Sequence, residues 1–410
     1  MTSLPLHRTL HAVPTKAGAG AMRLAVFVTH PIQYFAPLWR SLAASPGLDL
    51  QVHFFSDHSV RGAVDAGFGV PVAWDVPLLD GYRYEFITRN ANLAAPGSVH
   101  LPNAGARLAR ERFDAVMTHG YTHRFERQVV RAARANGLRT LIRGELTDVP
   151  PFRRRGLARG VARDLYLRWF YRYIDTFCYV GEEARRHLRR RGIPESRMFF
   201  APYSVDTALL EAQRQSFPRD TARRSLGVDD TQLVLLLSGK LIARKAPLLL
   251  AHALQQVADR ARLVLLVLGD GELRGQLEAA ARPLLHERLR MIGFVNQSQL
   301  GQYYAAADVL VHPSHFETWG LVVNEAMQFG VPAIVSSRVG CHRDLVIEGE
   351  TGMVFEHGNP GALARCIESF LHDPLAARRL GANAERHSAA YSTGASTVGI
   401  RRALGLDPPA

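Results

Sequence analysis

HFETWGLVVNEAMQFGVPAI, residues 315–334, decides the fold of this chain. It comes just after Val309-Leu310-Val311, an apolar run with the length of a buried strand ending near Ser314. The loop that follows carries Glu317 and Gly320. A helix is expected from near Leu321, with Glu325 facing inward in its early turns; Gly330 stops it and Val331-Pro332 opens the next strand. Both carboxylates then stand at the carboxyl end of a parallel strand, beside a helix N-terminus, where open α/β sheets bind ligands. Carboxylates accept hydrogen bonds from vicinal hydroxyls, and the amides of a helix start favour phosphate. Sugar hydroxyls plus phosphate describe a nucleotide sugar. The plainer reading of two glutamates at this spacing is a helix cap and a solvated face.

The surrounding residues weigh against that plainer reading. Glu-Thr-Trp-Gly-Leu-Val-Val-Asn-Glu-Ala-Met (317–327), then Gly-Val-Pro-Ala-Ile (330–334) and Ser336, closely resembles the donor-site signature of retaining GT-B glycosyltransferases of family four, the "glycosyl transferases group 1" proteins. The likeness continues through Gly340, Asp344-Leu345-Val346, Gly349 and Thr351-Gly352, and is strong over roughly 230–360. The resemblance implies an α/β chain with the GT-B fold: two doubly wound Rossmann-like domains facing each other across a cleft. It also implies that the residue at Glu317 holds the donor sugar and that Glu325 binds the ribose hydroxyls. Thr318, Trp319, Gly320 and Leu321 fall within the same donor-site run.

At 410 residues, 47% hydrophobic and 21% charged, the chain can bury sizeable cores and has the length of two domains. Its longest aliphatic runs, Leu233–Leu237 and Leu263–Leu268, are strand length, well short of the ~18 apolar residues that cross a bilayer. Residues 1–21 contain Pro, Thr, Gly and Ala without a continuous apolar stretch, so a disordered extension is expected, with Met22 a candidate start. Cys178, Cys341 and Cys366 are odd in number and lack metal spacing, which fits a reducing cytosol. The net charge of +13 and a pI near 10 favour an anionic partner such as a membrane surface, a phosphorylated lipid or nucleic acid, unless the arginines are simply solvated.

One count says more. Only three of the fifty basic residues are lysines (Lys16, Lys240 and Lys245), and two of them fall within LLLSGKLIARKAPLLL. They follow the strand Leu233–Leu237, and a helix is expected from near Ala246. Compact ammonium groups at such a turn suit a diphosphate; two solvated loop lysines are the alternative. In the resembling family this turn reads Gly-Arg…Lys and its two cations bind the donor pyrophosphate. Gly239 and Lys245 match, whereas Lys240 replaces the usual arginine with a point charge.

Strand-like runs alternate with helical stretches throughout, which argues for parallel sheets. The first half offers Arg23–Thr29, Asp49–Phe55, Ala115–His119, Thr140–Arg143 and Thr176–Val180. The second offers Leu233–Ser238, Arg262–Leu268, Met291–Gly293, Val309–His312 and Ala333–Ser336. No repeat period indicates a solenoid. The expected division is an N-terminal, acceptor-side domain over 22–205 and a nucleotide-sugar domain over 206–387, changing over near Pro202–Asp206. The resemblance adds a C-terminal helix, about 388–410, crossing back onto the first domain.

Several strand ends carry further candidates. Gly269-Asp270-Gly271-Glu272 resembles an acidic metal triplet but reads better as a glycine-rich turn into a helix. Phe294-Val295 ends a strand where the family's main chain meets the base; an edge-packing Phe is the alternative. His119 precedes Gly120 at a strand end, where the family has a histidine near donor sugar and acceptor; His123 is the runner-up. Thr29-His30-Pro31-Ile32-Gln33-Tyr34-Phe35 lacks the two glycines of many relatives, so His30 and Gln33 are expected to reach acceptor or donor by side chain. Arg143-Gly144-Glu145 ends another strand at this rim and is read as an acceptor contact or a solvated salt bridge.

Segment 153–173, RRRGLARGVARDLYLRWFYRY, repeats Leu157, Val161, Leu165 and Trp169 every four residues, with Arg155, Arg159 and Arg163 on the opposite side. If the apolar stripe faces the core, the arginines are merely solvated. If the helix is peripheral, it lies on anionic lipid at the inner face of the membrane.

The sequence thus points to a metal-independent enzyme moving a sugar from a UDP- or GDP-linked donor to a saccharide or lipid-linked acceptor, as in bacterial polysaccharide or glycolipid synthesis. Glu317, Lys240, Lys245 and His119 are its expected catalytic set, and no nucleic-acid module is recognisable. An epimerase or hydrolase of the same architecture, and a non-catalytic basic module, are the rival readings.

Overall fold

The computed structural model describes residues 20–61, 64–65, 70–71, 74–88, 99–148, 157–373 and 375–408. Nearly all of the expected N-terminal extension, and Arg153–Arg155 ahead of the basic helix, lie outside the described residues. The first half holds β1 (Met22–Val28), β2 (Leu48–Phe54), a short antiparallel ribbon of β3 (Val64–Asp65) and β4 (Val70–Pro71), β5 (Arg83–Phe86), β6 (Ala115–His119), β7 (Arg139–Gly144), β8 (Thr176–Tyr179) and β9 (Met198–Phe200). The second half holds β10 (Leu233–Ser238), β11 (Leu263–Leu268), β12 (Leu289–Gly293), β13 (Val309–His312), β14 (Ala333–Ser336) and β15 (Gly352–Phe355).

Two sheets result, both parallel throughout: β5-β2-β1-β6-β7-β8-β9 and β12-β11-β10-β13-β14-β15. Helices cover both faces, so the central strands must be apolar on both sides. LVLLLS of β10 and LVLLVL of β11 are buried at every position. In each sheet the order reverses beside the first strand, and at that switch the loops after neighbouring strands diverge and leave a crevice. In the second sheet the switch lies between β10, which leads to Lys240 and Lys245, and β13, which leads to Glu317.

The two sheets share one apolar core. It runs from Leu24 and Phe177 through Tyr203 and Trp319 to Leu236 and Val335. Between β9 and the helix Thr207–Ser216 the chain changes domain, and the final helix, Thr393–Leu404, returns to pack on β8, β9 and the helix Ala36–Ala43. Gly399 is needed there, because a Cβ at that position would lie 1.9 Å from the carbonyl oxygen of Phe200.

The basic helix, Leu157–Phe170, turns its apolar stripe outward, against the first of the two expected alternatives. It packs inward through Leu167 and Phe170, while Val161, Leu165 and Trp169 face solvent. Arg163, expected on the outer side, points in and pairs with Asp148 at 3.2 Å. Four-residue spacing marks one face of a helix but does not say which way that face points.

Candidate active site

Glu317 is fixed by its own backbone. Its N–H donates to Arg338 O (3.2 Å) and its carbonyl accepts from Gly340 N–H (3.0 Å), a bridge that turns the side chain inward until it is 7% exposed. Lys245 Nζ lies 2.6 Å from one carboxylate oxygen and Arg244 Nη1 2.8 Å from the other. Ser314 Oγ adds a donor at 3.3 Å. Burial pushes the Glu317 pKa up, but Lys245, with His312 and Arg244, outweighs it and holds the acid at about 2. Burial also lowers the pKa of Lys245, against the pull of Glu317. Lys240 lies in the same turn, partly exposed.

The second acid, Glu325, is buried at the switch point. Tyr304 Oη donates to one oxygen at 2.7 Å, and Tyr34 Oη, from the first domain, donates to the other at 3.0 Å. Burial raises its pKa, and these hydroxyls pull it back. Glu325 lines an open-sided crevice at this switch point. Gly239, Phe294, Val295, Tyr34 and Trp74 line it as well. Its floor is made where the loops after β10 and β11 touch. A Cβ on Gly269, whose φ is +131°, would sit 1.9 Å from Gly239 O. Gly239 also connects the two acid clusters, since a Cβ there would meet Lys245 Cε at 4.0 Å. Asp270 is engaged by Gly271 N–H (2.8 Å) and Arg274 (3.2 Å), the geometry of a glycine-rich turn.

The remaining candidates divide. Gly320 and Leu321 open the helix Leu321–Gln328 beside Glu317. Thr318 hydrogen-bonds Glu145 across the domains. Trp319 does not line the crevice; it is buried against Gly181 and Tyr203, with its Nε1 donating to Asn324 Oδ1 at 2.8 Å. His119 Nε2 shares a 2.8 Å hydrogen bond with Tyr203 Oη, and its buried Nδ1 has no hydrogen-bond partner among the described residues. Burial, then Arg143, keeps the imidazole neutral. His30 is bonded to Thr29 Oγ1 at 2.9 Å and rests against the His58 ring; burial lowers its pKa to about 3. Gln33 stands next to Tyr34 and interacts with its hydroxyl. His123 begins the helix Arg124–Ala135 and is joined to Glu126 in a capping box.

Arg143 requires a correction. It is 1% exposed and donates to Ala201 O (3.3 Å), Pro202 O (2.7 Å) and Ser396 Oγ (3.0 Å), with its guanidinium over the Tyr203 ring. It pins the change-over segment to the last helix and does not reach the cleft rim. Its place at a strand end pointed to the rim, but alternate strand residues face opposite sides and this one faces inward.

Sequence reasoning missed Arg244, Tyr34 and Tyr304. The first had a signal: a third base in a turn already singled out for its cations. Tyr34 lay inside the quoted loop, one residue from Gln33. Tyr304 had none, because an aromatic on a short helix looks like any core residue.

With the geometry in view, two families match. Residues 218–387 match the family described as glycosyl transferases group 1, and residues 31–204 the glycosyl transferase 4-like domain. The D-inositol 3-phosphate glycosyltransferase of Geodermatophilus obscurus is 37% identical over 226 residues, 52% of this chain and 48% of that protein. The chain spans about half the length of the curated relatives it matches. Among solved structures, sucrose-phosphate synthase from Thermosynechococcus elongatus superposes with a TM-score of 0.72 at 20% identity, over 94% of this chain and 98% of that one. Anabaena Alr3699/HepE in complex with UDP and glucose gives 0.67 at 16% identity, over 94% and 100%. At such identities the likeness establishes the shared fold.

Proposed function

This chain belongs to the family-four glycosyltransferases with the GT-B fold, and from that premise we propose that it transfers a hexose from a UDP- or GDP-linked donor to a saccharide or lipid-linked acceptor, with retention at the anomeric carbon. The observation that carries the proposal is the pairing of Lys245 and Arg244 onto Glu317 beside the crevice that holds Glu325. Two buried acids, one lining the crevice and one held by a knot of cations beside it, match a ligand with hydroxyls at two places and a diphosphate between them.

In this reading the base rests against Phe294 and Val295, and the ribose hydroxyls bond Glu325, displacing the Tyr34 hydroxyl. The diphosphate draws Lys245, Arg244 and Lys240 and the amides at Gly320-Leu321, which stabilise charge where it builds on the leaving group. Glu317, relieved of its cations, accepts from the donor sugar. The acceptor hydroxyl attacks from the face that the diphosphate leaves. The anomeric carbon–phosphate oxygen bond breaks as the new glycosidic bond forms, and the departing phosphate takes the acceptor proton. His119 positions the reacting oxygens. Glu145, His30 and Gln33 are placed on the acceptor side.

We further propose that side-chain cations meet the phosphate charge without a metal, so activity persists in chelator. Cys178, Cys341 and Cys366 are free thiols, in keeping with work in a reducing cytoplasm, in polysaccharide or glycolipid synthesis. The test is a thermal-shift screen against UDP-, GDP- and ADP-sugars, followed by product analysis with candidate acceptors. One nucleotide sugar should raise the melting temperature, and the product should keep the donor's anomeric configuration. Inversion would remove the mechanism; consumption of donor without acceptor would make the protein an epimerase or hydrolase.

A further inference from the structure

Among the described residues seven large apolar side chains are exposed, and three lie on one face of the helix Leu157–Phe170: Val161 (55% exposed), Leu165 (63%) and Trp169 (40%). Spaced by four, they form a single stripe. The opposite face holds the helix to the domain through Leu167 and Phe170, and through Arg163, which also donates to Tyr121 Oη (3.0 Å) and Thr147 O (3.1 Å). The stripe is therefore the side left over after the helix has packed.

Its border is cationic and aromatic. Arg168 and Arg172 are exposed beside it, and the Arg131 guanidinium lies 4.8 Å over the Trp169 ring. Tyr166 and Tyr173 flank that ring at 5.7 Å and 5.3 Å. Asp164, the only acid on the helix, is held by Arg168 at 2.8 Å and Arg191 at 2.9 Å.

We propose that this face docks the protein on an anionic lipid surface, with Val161, Leu165 and Trp169 entering the headgroup boundary and the surrounding arginines meeting lipid phosphates. Apolar residues bracketed by arginine, with Trp and Tyr at the margin, match the layered chemistry of that boundary. A second copy of the chain fits poorly, since a two-fold contact would set Arg131, Arg168 and Arg172 against like charges. Nucleic acid would engage the arginines and leave the stripe in water. The proposal is independent of the catalytic reading, because the stripe includes no residue of the crevice.

The test is co-sedimentation of the full chain with vesicles of phosphatidylcholine alone or mixed with phosphatidylglycerol, for the wild type, Leu165→Asp and the double variant Arg131→Glu/Arg172→Glu. All three positions are exposed, so the melting temperatures should agree. The wild type should bind the mixed vesicles and hardly the neutral ones, and each variant should bind at least ~10-fold less, with affinity falling as salt rises. Equal binding to neutral vesicles, or unchanged binding by Leu165→Asp, would overturn the proposal. So would a wild-type dimer in the ultracentrifuge that Leu165→Asp converts to monomer, which would assign the face to a second copy. The nucleotide-sugar thermal shift should be the same in every variant, so that a failure of lipid binding and a failure of donor binding are read separately.

Discussion

Glu317 lies between Lys245 and Arg244 at 2.6 Å and 2.8 Å, and each member of this trio is half-satisfied by the others. Removing Lys245 leaves a buried acid with one cation fewer and takes from the leaving group the charge best placed to meet it. Lys245→Ala should lower turnover about 100-fold or more, the scale of losing one oriented donor, while donor binding by thermal shift persists; near-normal turnover would take the lysine out of the mechanism. The sign of the acid's pH dependence follows from its position at about 2, below the ordinary 4.5. Stability from this trio is fully present above about pH 4.5 and is lost as pH falls toward 2. At Glu325 a different exchange is expected. Tyr34 Oη stands where a ribose hydroxyl would bind, so Tyr34→Phe should enlarge the melting-temperature rise given by the nucleotide sugar; a smaller rise would mean that Tyr34 stays bonded in the complex.

The strand–loop–helix units around the site were legible because their signals are local. β10, β13 and β14 run over the residues that the apolar stretches marked, and Gly320 and Gly330 bracket the helix between them. β5, β9 and β15 were not foreseen: RYEF, MFF and GMVF are too short to carry a period of two. The facing of the helix Leu157–Phe170 was illegible for another reason, since both of its sides are part apolar and only the neighbouring elements choose between them. Contacts between distant elements escape the sequence altogether. Asp344, near the end of a short helix in the second domain, accepts from Glu182 N–H at 2.9 Å, at the start of a first-domain helix. Burial, against that hydrogen bond and with Glu182 and Glu183 beside it, raises its pKa from 3.8 to about 7. A raised acid stabilises the fold most at low pH, so stability from this contact should decline as pH rises from about 4 to about 7. Asp344→Asn should flatten that decline in urea unfolding curves taken across the window; an unchanged slope would assign it to other groups.

Across the whole molecule, the two domains are joined twice, at Pro202–Asp206 and again where the last helix returns. The lysine pair and the two glutamates were visible in the chain, but the crevice that Glu325 lines beside the Glu317 cluster exists only because two switch-point loops and a first-domain tyrosine converge. Gly399→Val tests the second joint. It forces a side chain against the Phe200 carbonyl and should cost ~3 kcal/mol or more, on the scale of severe overpacking, with residues 389–408 becoming sensitive to protease; unaltered melting would show that the helix can shift aside. That joint also bears on how the chain is made. Residues 22–205 leave the ribosome first, yet the helix that covers β8 and β9 is translated after the entire nucleotide-binding half. The earlier-born domain is therefore the later one to be completed, and it must wait with those strands uncovered while its successor takes shape.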